Sequence, residues 1–424
     1  MPDSSILNPQ PTTRAGRRVA LTGIGLISPF GRGRDSALEA LRNARSGIRA
    51  ITSIDASALN CRIGGEVPPA AHEGEHRGHD RFTRFALIAA DEAMAQAGAL
   101  DVDAHRLGTI IGTGLGGCET LDNNYRRLYA ENARPVPMGI PMAMYNAATA
   151  AVSAKHNAKG IAYSTVSACA SSAHALGLAA QAIRFGQADA MLAGGSDAPL
   201  TFGIIRAWEV LRVLAIDNEH PEAACRPFSA DRKGLVLAEG AAVFVLESFE
   251  HAERRGATIL AEVAGFGATS DAGHVTDPSA DGAARAMALA LDDAGLQPRD
   301  IDYINAHGTG TRANDPTETA AIRSVFGDDV PPVSSTKSMH GHAMGASGAI
   351  EIACSLLAVR DGFLPPTLNL ETPDPACDLD YVANAPRQAK VRAFLSNSFG
   401  FGGMNSVVAL RLLGEPVIRF GGRL

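Results

Sequence analysis

The sequence is short of the features that mark several large protein classes. Its six cysteines are scattered over 424 residues and none forms a C-x-x-C pair. That spacing argues against structural zinc and thioredoxin-like chemistry, and so low a cysteine density suits a reducing cytoplasm. No run reaches the roughly 18 uncharged apolar residues that a membrane-spanning helix requires. The opening MPDSSILNPQPTTRAGRR lacks the apolar stretch of a signal peptide, and its polar, proline-bearing character predicts a disordered arm over residues 1–16. No lysine- or arginine-rich run occurs. The formal charge is −7, from 38 basic and 45 acidic residues, which argues against a general nucleic-acid binder. Any acidic partner has to dock on a local basic patch. No short internal repeat is visible.

What is present is the material of a large α/β core. Hydrophobic residues make up 46% of the chain and charged residues 20%, and the length corresponds to about two to four domain-sized units. Short apolar runs predict strands at Val19–Thr22, Thr109–Gly112, Ala190–Ala193, Ala242–Glu247, Tyr303–Asn305 and Val407–Leu412. Amphipathic stretches predict helices at Arg81–Gly98, Ser171–Gly186, Asp281–Gly295 and Pro316–Phe326. The alternation indicates α/β layers with both sheet faces covered. A second βα series restarts after a junction near residues 250–275. The 44 glycines cluster at expected strand ends, at Gly23 and Gly25, Gly112–Gly117, Gly194–Gly195, Gly308–Gly310 and Gly400–Gly403, and most read as turn punctuation.

Four segments carry chemistry. In Val166–His174 (VSACASSAH) a strand-like run feeds a turn and then an alanine-rich helix, so Cys169 stands near a helix N-terminus. Unpaired N–H groups and the helix dipole there favour a thiolate and can hold an oxyanion, as a cysteine attacking a thioester requires. The other reading of Cys169 is a small buried hydrophobe. In Tyr303–Thr311 (YINAHGTGT), His307 follows a buried-type strand and precedes a glycine loop, which faces it into a cleft. Ser334–Ala346 (SSTKSMHGHAMGA) offers Lys337, His340 and His342 in a similar setting. In Asn397–Met404 (NSFGFGGM) two phenylalanines between glycines suit either an apolar flap or a tight turn with core aromatics.

Three rival readings arise from the same residues. Gly112–Gly117 matches the dinucleotide fingerprint G-x-G-x-x-G, but Pro135, Pro137 and Pro141 interrupt the chain beyond it and no second strand ends in a ribose-binding acid. A Cys–His hydrolase uses the same residue types. Histidines near a cysteine suggest a metal, yet the spacings fit no common site.

Together the four segments resemble the β-ketoacyl-acyl-carrier-protein synthases, in particular the synthase II branch of the thiolase superfamily. The resemblance runs from about Arg17 to Leu412 and rests on S-A-C-A-S around Cys169, N-A-H-G-T-G-T around His307, S-S-T-K-S-x-x-G-H around Lys337 and His342, and N-S-F-G-F-G-G at 397–403. Within the branch, LAGGSDAP (192–199), AWEVLR (207–212), CRPFSADRKGLVL (225–237) and TRANDPTET (311–319) most resemble nodulation protein E-type synthases. Segments 312–319 and 374–381 are similar to the ketosynthase α subunits of aromatic type II polyketide systems. The resemblance implies an α/β chain with a duplicated, five-layer αβαβα thiolase-like fold. The N-terminal half, 17–265, carries the nucleophile, and the C-terminal half, 266–424, carries the two histidines. It implies that Cys169 accepts an acyl group, that backbone N–H groups of Cys169 and Phe401 form the oxyanion hole, and that His307 and His342 act on a malonyl unit. It further implies that Lys337 orders the site, paired with Glu318, and that Phe399 gates the malonyl side.

The implied reaction is decarboxylative Claisen condensation in fatty-acid or specialised acyl-chain synthesis. The implied partners are an acidic acyl carrier protein and acyl and malonyl thioesters. The assembly implied is a homodimer, or a heterodimer with a related subunit where the chain serves a polyketide or polyene system. Negative charge develops twice, as enolate and as tetrahedral oxyanion, so fixed donors in a low-dielectric pocket answer the chemistry without a metal, and nothing demands a redox or organic cofactor. A thioester hydrolase and a non-catalytic chain-length partner remain as other classes; the latter typically lacks the nucleophile. Two residues depart from the family pattern: His340 stands where a small residue is usual, and Met404 where threonine is usual. Leu115 matches a position lining the acyl pocket. Arg126 and Arg127, with Arg81 and Arg84 or Arg206, are the expected docking residues for the carrier.

Overall fold

A computed structural model describes residues 16–413. The expected N-terminal arm therefore lies, apart from Gly16, outside the described residues.

Ten strands and eight of the helices build the framework. The strands are β1 (Val19–Ser28), β2 (Leu107–Gly112), β3 (Ala162–Thr165), β4 (Ala190–Asp197), β5 (Gly240–Ser248), β6 (Ala261–Ser270), β7 (Tyr303–Asn305), β8 (Val333–Ser334), β9 (Ala393–Gly400) and β10 (Met404–Arg411). The helices are α1 (Arg81–Ala97), α2 (Cys118–Tyr129), α3 (Ala147–Lys155), α4 (Ser171–Arg184), α5 (Phe202–Leu211), α6 (Ala280–Ala294), α7 (Asn314–Phe326) and α8 (Ser347–Arg360). The spatial order is β8-β7-β9-β10-β6-β1-β5-β4-β2-β3. Counted within each run of five, the order is 3-2-4-5-1 twice. The directions repeat as well: β1 is antiparallel to β5 and β5 to β4, while β4, β2 and β3 are parallel. The set β6, β10, β9, β7, β8 follows the same rule. The two runs join where Ala20 and Leu21 pair with Glu262 and Ala261. The repeat is thus one of topology, which a search for short sequence periods does not detect.

Strand alternation explains the layering, because successive side chains point to opposite faces. In β5, Val243 and Val245 pack with Phe82, Phe85 and Val152 of α1 and α3, whereas Phe244 packs with Leu176 of α4 and Ile350 of α8. In β9, Phe394 joins that same middle layer, and Leu395 packs with Met287 of α6 and Ile322 of α7. The result is five layers, with α4 and α8 sandwiched between the sheet halves. Helix α1 is capped by the Asp80 side chain, which accepts from the Phe82 N–H, and it stops at Gly98 with φ +75°.

The glycines of the first strand do not mark its end. β1 runs on through Gly23 and Gly25 to Ser28 because these glycines let a helix backbone press onto the strand. A Cβ on Gly25 would sit 1.7 Å from the Ala89 carbonyl oxygen, and one on Gly23 would sit 2.2 Å from that of Ala93. The second half repeats the device: Cβ atoms on Gly265 and Gly267 would meet the carbonyls of Ala290 and Ala286 at 2.2 and 2.0 Å. Gly194 and Gly195 likewise lie inside β4.

Candidate active site

The cysteine is presented by a tight elbow between β3 and α4. Ala168 takes φ +50°, a left-handed conformation for a residue with a Cβ. Hydroxyls hold the turn: the Ser171 side chain donates to the Ala168 carbonyl at 2.7 Å and accepts from the Ser167 N–H at 2.9 Å, and Thr165 donates to the Ser171 carbonyl at 2.8 Å. Small residues suit this segment because β9 closes over it, with a Cβ on Gly400 falling 3.2 Å from the Cys169 nitrogen. The sequence expectation that a helix start would favour a thiolate meets an opposing effect. Burial pushes the Cys169 thiol up to about 12, against the pull of Lys337 and the Phe401 N–H. The resting sulfur is a thiol.

His307 leaves the end of β7, and its loop is held by Glu318 of α7, whose carboxylate accepts from the N–H groups of His307 and Gly308 at 2.8 Å each and from the Asn397 amide at 3.1 Å. His342 precedes α8 and is pinned by backbone bonds to residues 236–238, its N–H donating to the Val236 carbonyl at 2.7 Å. The His342 Nε2 lies 3.1 Å from Cys169 Sγ. The two imidazoles stand edge to face with centroids 5.4 Å apart, and the reactive atoms of Cys169, His307 and His342 all lie within 4.8 Å of one another.

Hydrogen bonding assigns the protons on both rings. The Met344 N–H can only donate, and it points at His342 Nδ1 at 3.2 Å, with the Ser347 hydroxyl at 2.8 Å. Nδ1 is therefore the lone-pair nitrogen, and Nε2 carries the hydrogen. Lys337 acts alike on His307: its ammonium lies 3.3 Å from Nδ1 and donates to the His307 carbonyl at 2.6 Å. Burial first, and then Lys337, hold both imidazoles well below the usual histidine range, so both are neutral. Two Nε2–H donors thus face the sulfur. An ammonium at one ring and N–H hydrogens on the pocket side of both make this a receptor for negative charge. The same Cys–His–His triplet is compact enough to hold a cation, but its inward nitrogens lack free lone pairs.

One expected pairing is corrected. The ion-pair partner of Lys337 is Glu351 of α8, not Glu318. Both acids stand near the lysine, but Glu318 is taken up by the His307 loop. Burial pushes the Glu351 carboxyl up to about 7 in spite of Lys337. His340 is fully buried and points away, donating to or accepting from Thr336 at 3.0 Å with its ring edge-on to Phe30; burial holds it down to about 3. Met404, by contrast, is exposed at the start of β10.

The Cys–His–His triplet opens on a cavity of about 250 Å³ lined by Cys169, His307, His342, Trp208, Phe399 and Phe401, among others. Phe399 lies 5.9 Å from the His307 ring. Phe401 stacks on Trp208 of α5 at 5.7 Å, and its N–H reaches the Cys169 sulfur. Leu115 packs into the apolar cluster that includes Cys169, Leu200, Ile205 and Met344. The glycine-rich loop after β2 holds no external phosphate site: the N–H groups of Gly114 and Leu115 already donate to Asp197. Arg81 is not a surface residue either; it is buried against Glu239 at 3.3 Å, and Arg84 donates to the carbonyls of His72 and Glu75. Arg126 and Arg206 are exposed.

Sequence reading did not identify Glu351, Ser347 or Asp197. A lone acid within the apolar run SGAIEIACSLL is the signal that marks Glu351. Among the described residues no helix is long and apolar enough to cross a membrane.

Residues 16–252 match the family model described as beta-ketoacyl synthase, N-terminal domain, and residues 260–371 the beta-ketoacyl synthase, C-terminal domain. The chain is 46% identical over 404 residues to Nodulation protein E of Rhizobium sp. (strain N33), covering 93% of this chain and 99% of that protein. It is 44% identical over 406 residues to 3-oxoacyl-[acyl-carrier-protein] synthase 2 of Coxiella burnetii (strain RSA 493 / Nine Mile phase I), covering 93% and 98%. Its fold superposes with a TM-score of 0.87 and 35% identity on a solved complex of a type II PKS acyl-carrier protein with its ketosynthase bound to the hexaketide, covering 94% of this chain and all of that one.

Proposed function

The chain belongs to the beta-ketoacyl synthase family of condensing enzymes, and from this premise we propose how its residues share the reaction. The observation that carries the proposal is that one thiol and two neutral Nε2–H donors face the same small cavity.

In the first half-reaction Cys169 attacks an acyl thioester delivered on a carrier protein. The oxyanion is held by the N–H groups of Cys169 and Phe401. Collapse expels the carrier thiolate, which takes the proton that the cysteine thiol gives up, so the exchange needs no net base. A malonyl thioester then enters, and His307 and His342 donate their Nε2–H bonds to its thioester carbonyl. The C–C bond to the carboxylate breaks, carbon dioxide leaves, and the electron pair stays as an enolate on the donors. The enolate carbon attacks the acyl-cysteine carbonyl, the second oxyanion forms in the same backbone hole, and expulsion of the cysteine thiolate releases the β-ketoacyl product, after which the thiolate takes one proton from solvent and returns to its resting thiol. Keeping the rings neutral matters here, because a hydrogen-bond donor stabilises the enolate without protonating it at once. Lys337 and Glu318 position the His307 loop, and Phe399 gates the malonyl side.

The partner is an acyl carrier protein, received in part by Arg126 and Arg127. The chain works as a homodimer in the cytoplasm; the uncovered edge of β3 and the exposed Tyr125, Tyr129, Met138, Ile140 and Tyr163 support that assembly. The repeated strand order supports two halves, but it gives all of β6 to the second, so the division falls between Ser248 and Ala261 rather than between 265 and 266. Similarity to the type II PKS ketosynthase favours a polyketide pathway as the second reading. The test is Cys169→Ala with acyl- and malonyl-carrier protein: condensation should vanish while carbon dioxide release from malonyl-carrier protein persists. Condensation at the parent rate would remove Cys169 from the mechanism.

A further inference from the structure

Asp197 is the last residue of β4, and its side chain is fully buried. Among the described residues no cation pairs with it. Four donors meet it instead. One carboxylate oxygen accepts from the Thr113 hydroxyl at 2.7 Å and the Leu115 N–H at 3.1 Å. The other accepts from the N–H groups of Gly114 at 2.7 Å and Gly345 at 2.6 Å. Thr113, Gly114 and Leu115 follow β2 in the first half of the chain, whereas Gly345 belongs to the second half. An anion buried without a counter-charge is expensive, and here burial pushes the carboxyl up to about 6 despite these bonds. The condensation steps make no direct use of it.

The contact to Gly345 matters because of its neighbour. Met344 is held at φ +49°, a conformation unfavourable for a residue with a side chain, and in that conformation its N–H reaches His342 Nδ1 at 3.2 Å. The packing leaves no slack: a Cβ on Gly345 would fall 2.3 Å from the Gly114 nitrogen and 2.7 Å from the Asp197 carboxylate. The carboxylate therefore ties down the peptide that tells His342 where to keep its hydrogen.

We propose that Asp197 is a positioning residue for the condensation: through Gly345 and Met344 it keeps the His342 hydrogen on Nε2, where the enolate needs a donor. The inference rests on the role given to His342 under the proposed function. Without the carboxylate the Met344–Gly345 turn relaxes out of its strained conformation. His342 Nδ1 then loses its fixed N–H donor, and the ring becomes free to place its hydrogen on Nδ1 and turn a lone pair toward the pocket. Cys169 acylation, which uses the backbone hole, does not depend on that hydrogen.

Two half-reactions and one double-mutant cycle test this. Acylation of Cys169 by acyl-carrier protein is followed by intact-protein mass spectrometry, and carbon dioxide release is followed from malonyl-carrier protein alone. Asp197→Ala should keep acylation within about threefold and reduce carbon dioxide release at least tenfold, toward the ~10²-fold expected for losing one oxyanion donor. In a His342→Ala background Asp197→Ala should add almost nothing, because the two residues act through one hydrogen bond. Asp197→Asn should behave differently: its amide oxygen can keep Gly114 and Gly345, and the Thr113 hydroxyl can reverse to accept, so that only the Leu115 bond, which does not involve the Met344–Gly345 turn, is lost and decarboxylation should stay within about threefold of the parent. Where Asp197→Ala does not fold, Asp197→Ser, which leaves room for a water in place of the carboxylate, carries the same expectation. Equal losses in both half-reactions, or a full loss on top of His342→Ala, would overturn the proposal. A His342→Ala enzyme that decarboxylates like the parent would instead overturn the underlying assignment of His342.

Discussion

Replacing Lys337 by methionine tests the buried charge pair and the His307 assignment together. The Lys337 side chain is 0% exposed and that of Glu351 1%, and methionine fills much of the same space without the charge. Breaking a buried ion pair by removing one partner costs about 3–5 kcal/mol. For a chain of 424 residues the unfolding entropy is about 0.9 kcal/mol per kelvin, so Tm should fall by roughly 3–6 °C. The loss should depend on pH in a definite direction. Burial already pushes the Glu351 carboxyl up to about 7 against the pull of Lys337, and removing the ammonium raises it further. The variant's folded state then holds a proton that the unfolded chain, with an ordinary glutamate, releases. A group raised in the folded state contributes stability that is complete below its unfolded value and is lost as pH rises toward its folded value. The stability of Lys337→Met should therefore fall by about 1.4 kcal/mol per pH unit between the two values, leaving the variant's deficit larger at pH 8.5 than at pH 6. Adding Glu351→Gln should restore most of the stability, because the pair is then neutral. It should not restore catalysis, since the 3.3 Å contact to His307 Nδ1 is still missing. Carbon dioxide release should be down on the order of 10²-fold in both variants. Thermal melts across pH, combined with the decarboxylation assay, supply the answer. A pH-independent deficit or a double variant no more stable than the single one would refute the buried-charge account. Unchanged carbon dioxide release would refute the role of Lys337 at His307.

Three other outcomes are expected. Trp208→Ala removes the buried ring on which Phe401 stacks, so condensation should fall about tenfold as the Phe401 N–H loses its place, and the lost core ring should also cost about 3–5 kcal/mol of stability; a parent-like turnover number in the folded variant would detach Trp208 from the oxyanion hole. Gly25→Ala should cost at least the ~1–3 kcal/mol typical of overpacking, because the added carbon would lie 1.7 Å from the Ala89 carbonyl oxygen; a variant with an unchanged denaturant midpoint would contradict that packing. Charge reversal at Arg126 and Arg127 should raise KM for carrier protein several-fold with little change in kcat, and the effect should shrink with added salt; an unchanged KM would move the docking surface elsewhere.

Much of the site was legible because its chemistry sits in short, unusual strings. Cysteine at the start of an alanine-rich helix and histidines between glycines are local features, and the structure places Cys169, His307, His342 and Lys337 within one cluster. The strands were legible as apolar runs, although β1 outran its expected end because Gly23 and Gly25 serve an overlying helix rather than a turn. Glu318 and Glu351 illustrate the limit. Both lie on helices near Lys337, and choosing its partner requires knowing that one acid is already occupied by four N–H donors. Arg81 shows the same limit from the other side, as a charge expected at the surface but packed against Glu239.

The amino-acid order by itself determined the element types, the cysteine elbow and the residue types available for acyl transfer, since these depend on neighbours a few positions apart. Tertiary structure alone decided the rest: the nested 3-2-4-5-1 halves, the meeting of a first-half thiol with second-half imidazoles, the nitrogen that carries each hydrogen, and the protonated rest state of Cys169. The reason is that desolvation and hydrogen-bond direction are properties of the space around an atom. Around the Cys169 sulfur that space is filled by residues such as His342, 173 positions away along the chain, and Phe401, which lies farther still, and no local pattern specifies them.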